Sequence, residues 1–219
     1  VLARIGVFLR DGNQIDQSVP WFNEIIERPG IESKDYAYNA LSKIHLKALN
    51  SSEQEKGLKY VDWVVNNSSN TQLQRESAYE RASYYSRKNQ WPNAEKHWTE
   101  FVKNKKWTGT FSAEAWYRLG ESMEKNNKSS QALSPYTNLL AKYASRIEYS
   151  IPAVASSALI QKKLGKNAEA YKLAHRSGLK FANYLNDRRF AQEFAKLKAI
   201  YYELSDEHAG ENDKDPFVK

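Results

Sequence analysis

The chain has 219 residues, enough for one or two domains with a large core, and its 41% hydrophobic against 27% charged residues excludes a disordered polymer. No apolar run is long enough to span a bilayer. The absence of cysteine excludes disulfides, thiol nucleophiles and thiolate metal sites; it fits any compartment and leans slightly toward the periplasm or cell envelope.

Glycine and proline are sparse, and Ala, Leu, Lys, Glu, Gln, Arg and Tyr fill long windows, which favours helix. In chain order, small residues recur at Ser18, Gly57, Ala94, Ala132 and Ala170, at intervals of 37 to 39 residues. A second series, Gly6, Ala82, Gly120 and Ala158, leads these by twelve, with His45 in the skipped slot. Four residues after the later series stand Phe22, Val61, Trp98, Tyr136 and Ala174, and three further on Ile25, Val64, Phe101, Leu139 and Ser177. Four residues before the earlier series stand Leu2, Leu41, Ala78, Trp116 and Val154. Spacings of three and four put these side chains on one helical face. Each period therefore predicts two amphipathic helices, A and B, that approach closely at their small residues.

The punctuation agrees. GNQ at 12–14, NSSEQ at 50–54, NQWP at 89–92, NNKSS at 126–130 and GKN at 165–167 separate A from B, with Gly and Asn suited to left-handed helix ends and Ser or Asn to the next N-cap. The units expected are about 1–30, 33–69, 71–108, 110–147 and 149–185. An amphipathic helix over 187–205 would then cover the open end through Phe190, Phe194, Leu197 and Tyr201, and 206–219 reads as a polar tail. Pro20 and Pro135 fall where B helices should run, which calls for a kink or a later start.

This arrangement resembles the tetratricopeptide repeat, whose Trp, Leu-Gly, Tyr, Ala, Phe pattern is met by Trp116, Leu119, Gly120, Met123, Ala132 and Tyr136. Ala78, Ala82, Tyr85, Trp91, Ala94 and Trp98 carry it in the preceding unit, and Leu2, Ile5, Gly6, Leu9, Ser18 and Phe22 in the first. The resemblance covers roughly residues 1–182, with a longer period than the family's 34 or so residues. It implies an all-α fold, a right-handed α-α superhelix of about five helix pairs plus a capping helix, with A helices lining the concave side; an armadillo-like array is the alternative. The pattern begins mid-motif at Leu2 and Ile5, so upstream repeats or an N-terminal partner are expected.

Chemistry is sparse. His45, His97, His175 and His208 stand far apart without metal-ligand spacing, and no nucleotide-binding glycine motif is present, so no metal or cofactor is implied. Glu121 and Glu124 share a helical face but read as a solvated or groove-lining pair rather than an acid–base couple. Trp21, Trp63, Trp91, Trp98 and Trp116 fall in core phase, whereas Trp107, in a turn, reads as surface.

In the family, the slot held here by Tyr79 and Tyr117 faces the concave groove. With Ser83, Arg87, Glu121 and Lys125, and with Glu76 and Glu114 beside them, these residues form the candidate partner-binding strip. The Lys and Asn with which chaperone-binding members clamp a peptide carboxylate are missing from the matching slots. The function this implies is a non-catalytic protein-interaction scaffold for a peptide or partner protein, used through the groove or the ends, in a setting such as a bacterial envelope assembly.

Two alternatives stay open. Between Ile151 and Leu204 ten basic residues stand against four acidic ones within a chain of net charge +7. Lys162, Lys163, Lys166, Arg188 and Arg189 are thus a candidate basic patch for nucleic acid. The other is an accessory domain of a larger enzyme.

Overall fold

The computed structural model describes residues 2–210 and 214–218, with side chains from residue 4 onward; Leu2, expected to open the first unit's pattern, thus has its side chain outside the described residues. The chain forms two compact units, Val1–Gly109 and Thr110–Lys219. Among the described residues helices are joined by turns, and there are no strands. In the first unit run α1 (Leu2–Asp11), α2 (Ile15–Glu27), α3 (Lys34–His45), α4 (Ser51–Asn67), α5 (Thr71–Arg87) and α6 (Trp91–Lys103), followed by a 3-10 turn, Lys105–Trp107. The second holds α7 (Ser112–Lys125), α8 (Ser129–Lys142), α9 (Ile147–Lys163), α10 (Asn167–Lys180) and α11 (Ala191–His208), with 3-10 turns at Ala182–Tyr184 and Arg188–Phe190.

Within each unit every helix packs on its sequence neighbour. Alternate helices also touch: α1 meets α3 and α3 meets α5, while α7 meets α9 and α9 meets α11. That is the stacking of an α-solenoid. The small-residue series explains how the pairs close. Ser18, Ala94, Ala132 and Ala170 are fully buried, as are Ala82 and Ala158. A Cβ on Gly6 would stand 2.8 Å from Phe22 Cε1, and one on Gly120 only 2.4 Å from Tyr136 Cε1. Small residues on A helices therefore receive the large rings of B helices. Trp98, Tyr136 and Phe22 are among the largest fully buried side chains, each contributing about 1.5–3 kcal/mol by burial.

Four of the A-to-B turns share one geometry. Asn13, Asn89, Asn127 and Gly165 have positive φ, between 55° and 73°. The residue after each donates its N–H back to Leu9, Tyr85, Met123 and Gln161 O at 2.8–2.9 Å, which is the Schellman closure. The α3–α4 turn, where His45 occupies the small-residue slot, is built from side chains instead. Asn50 Oδ1 accepts the Glu53 N–H at 2.8 Å, Gln54 Nε2 donates to Ala48 O at 2.6 Å, and His45 Nδ1 meets Glu53 Oε2 at 2.5 Å.

Three expectations need correction. Trp107 is buried, 6% exposed, because its 3-10 turn folds back against α5 and α6 and sets its ring 5.8 Å from Phe101. No later start is needed at Pro20 or Pro135; α2 and α8 run through them. The polar tail is not uniformly so: residues 206–208 continue α11, and Phe217 returns to a core that also holds Phe190, Phe194, Leu197 and Tyr201.

Candidate functional site

In the first unit α1, α3 and α5 enclose a groove of about 1020 Å³. Arg4, Val7, Phe8 and Asp11 line it from α1, Tyr36, Asn39, Ala40 and Lys43 from α3, and Gln72, Leu73 and Glu76 from α5. The steps of three and four mark one face of each A helix; Leu41 of α3 and Ala78 of α5 are buried, and Phe22 of α2 reaches the groove from behind.

The groove is mixed in character. Phe8 on α1 is 76% exposed, and Tyr36 on α3 is exposed as well. On the floor, Asn39 Nδ2 donates to Ser77 Oγ at 2.9 Å in a buried contact. Lys43 Nζ pairs with Glu76 Oε2 at 2.7 Å, and Gln72 donates to the other carboxylate oxygen at 3.1 Å. Burial alone would raise the Glu76 pKa, but these hydrogen bonds and the charges of Lys43 and Arg75 outweigh it and hold the carboxyl below its ordinary value. Glu76 thus stays ionised and braces α3 against α5.

The expected strip is only partly on this surface. Ser83 and Arg87 follow Glu76 by seven and eleven residues, so they lie within about 20° of its helical face and extend the groove side of α5. Tyr79 does not. Its ring meets Trp98 edge-on at 5.6 Å and Phe101 at 6.4 Å, so it packs toward α6.

In the second unit Tyr117 is likewise drawn inward, 6.0 Å from the rings of both Tyr136 and Tyr149. Burial, then the negative charge of Glu121, push its pKa up to about 12. Glu121 pairs with Arg118 at 2.8 Å, while Glu124 accepts the Tyr136 hydroxyl at 2.5 Å, so these two carboxylates serve separate partners. Lys125 is exposed.

The five cations expected as one basic patch are not gathered together. Lys162, paired with Glu203, stands with exposed Lys163 and Lys166 where α9 turns into α10. Arg188 and Arg189 follow the far end of α10, a helix of fourteen residues and so about 21 Å long. Arg189 is held by Asp187 at 2.6 Å and lies over the Phe190 ring at 5.2 Å.

Sequence reading missed Phe8, Tyr36, Asn39, Lys43 and Gln72. The usable signal was helical phase: positions 4, 8 and 11, then 36 and 43, then 72 and 76, lie off the buried stripe, while the buried Asn39 gave no such signal. Among the described residues no three His, Asp or Glu side chains are placed to hold a metal ion, and no helix is long and apolar enough to cross a membrane.

Paired, stacked helices with small-residue seams define an α-helical repeat protein. Residues 114–145, which cover most of α7 and all of α8, match the family model described as Tetratricopeptide repeat, so the chain carries a tetratricopeptide repeat there. No curated protein matches the chain. Repeats of this kind are typically non-catalytic, and the match supports a general role as a protein-interaction scaffold.

Proposed function

We propose that the α1–α3–α5 groove holds an extended peptide segment of a partner protein. The observation that carries this reading is Phe8, a large ring left 76% exposed at a concave surface that also presents carboxamides and an ion pair. An extended peptide offers alternating side chains and unpaired backbone groups. Phe8, Tyr36 and Leu73 can seat apolar side chains, while the Gln72 carboxamide has both a donor and an acceptor for main chain. Placement in a bacterial envelope assembly rests on resemblance alone. Nucleic-acid binding has less support, because the basic residues stand at opposite ends of α10.

The test is a random-peptide selection against the whole chain, followed by affinity measurement on Phe8→Ala/Tyr36→Ala. Both rings are exposed, so helicity by circular dichroism should be unchanged. Loss of two anchors should weaken the selected peptides at least about 30-fold, the scale of one hot-spot residue. Peptides that bind the double variant as well as the parent would show that the groove is not the site.

A further inference from the structure

Residues 214–217 belong to no helix, yet side chains of α10 and α11 hold them closely. Asp215 Oδ1 accepts the Phe217 N–H at 2.8 Å, closing an Asx turn whose middle residue, Pro216, has its φ fixed by the ring. The second carboxylate oxygen, Oδ2, accepts the Tyr202 hydroxyl at 2.9 Å. His175 Nε2 lies 3.1 Å from Lys214 O, a hydrogen bond made by the tautomer with the proton on Nε2. Phe217 is left 7% exposed, with its ring 5.6 Å from that of Tyr201 and the Lys198 ammonium 5.9 Å from its centre.

Gly178 forms the floor. A Cβ there would stand 2.7 Å from Pro216 Cβ and 3.0 Å from Phe217 Cε1, so the turn seats against bare helix backbone. The helices are packed together beneath it. Phe194 and Leu197 of α11 are buried with Ala170 and Ala174 of α10, and Tyr171 stacks on Tyr201 at 5.4 Å.

A preformed turn, a buried aromatic anchor, a bound carboxylate and a bound main-chain carbonyl are the contacts a receptor makes with a short peptide. We propose that the α10–α11 face is a recognition site for a peptide carrying an Asp-Pro-aromatic turn, filled in cis by Asp215–Phe217. The site lies in the other unit from the groove and does not rest on the groove's function. Residues 209–213 alone link the end of α11 to the bound segment, so the segment sits at millimolar effective concentration. A partner peptide of the same chemistry gains access when it displaces this strap.

The probe is a fluorescein-labelled peptide of residues 210–219, GENDKDPFVK, with anisotropy read against three forms of the full chain. The parent should bind it weakly because the strap competes. Phe217→Ala empties the site and should bind it at least about tenfold more tightly, as expected when an intramolecular competitor is removed. Peptides with Ala in place of the probe's Asp215 or Phe217 should lose that gain. So should the chain carrying Gly178→Ala together with Phe217→Ala, in which the new methyl group occupies the floor. Equal or absent binding in the parent and a folded Phe217→Ala chain overturns the proposal, as does binding that survives Gly178→Ala. Failure of Phe217→Ala to fold overturns it too, since an exchangeable ligand cannot be a fold requirement.

Discussion

Gly120 sits in the interior of α7 with Tyr136 Cε1 2.4 Å from where its Cβ would be. Gly120→Ala gains about 1 kcal/mol of helix propensity but forces apart a ring whose hydroxyl is held by Glu124. Overpacking of this kind costs about 1–3 kcal/mol. A net loss of stability is expected, read as a lower urea midpoint at unchanged slope. This contact was legible in the sequence because a small residue twelve places ahead of Ala132 demanded a close neighbour. The direction of Tyr117 and Tyr79 was not. A residue one step past the motif's aromatic position lies between the groove face and the B-helix face, and the adjoining large rings of Trp98, Tyr136 and Tyr149 decide which way it turns. Trp107 was hidden for another reason: a three-residue turn has no periodicity to reveal which side it buries.

At the scale of the elements, the Asn-rich turns work through backbone conformation. Asn89 and Asn127 have φ of 55° and 58°, a region an ordinary L-residue enters at a cost of about 1–2 kcal/mol. Asn89→Ala and Asn127→Ala should each lower stability by about 1 kcal/mol, whereas the Gly substitutions should be neutral or slightly stabilising. Thermal melts of the four variants check this, and equal effects of Ala and Gly would show that the side chain rather than φ matters. Left-handed residues at 89, 127 and 165 follow one another at intervals of 38, the spacing of the small residues. The α3–α4 turn was harder to read, since His45, Gln54 and Glu53 replace a backbone motif with side-chain contacts that no local signature announces.

Over the whole molecule, each unit has its own buried clusters. Phe22, Ile25 and Leu41 lie in one, Leu46, Val61 and Tyr84 in another, both within residues 1–109. Tyr136, Leu139 and Ile160, and then Phe194, Leu197 and Ile200, serve residues 110–219. Helical repeats draw stability from such near-neighbour contacts. Residues 110–219 produced alone should therefore keep their helicity and unfold cooperatively in urea; a featureless loss of ellipticity would refute this. The helical class and the buried stripes could be read from periodicity. Where the compact units divide could not, because the repeat pattern runs on through Gly109 without a change in composition.

Five of the six tryptophans, Trp21, Trp63, Trp91, Trp98 and Trp107, precede Gly109, and Trp116 alone follows it. Light emission from the chain is thus weighted toward one half of it. The indole of Trp98, bound to Ser86 Oγ at 2.9 Å, and the buried indole of Trp107, whose N–H has no hydrogen-bond partner among the described residues, should differ in colour. An unfolding curve followed by emission reports chiefly on the first half, and one followed by ellipticity reports on both. The gap between the two curves measures how far the halves melt apart.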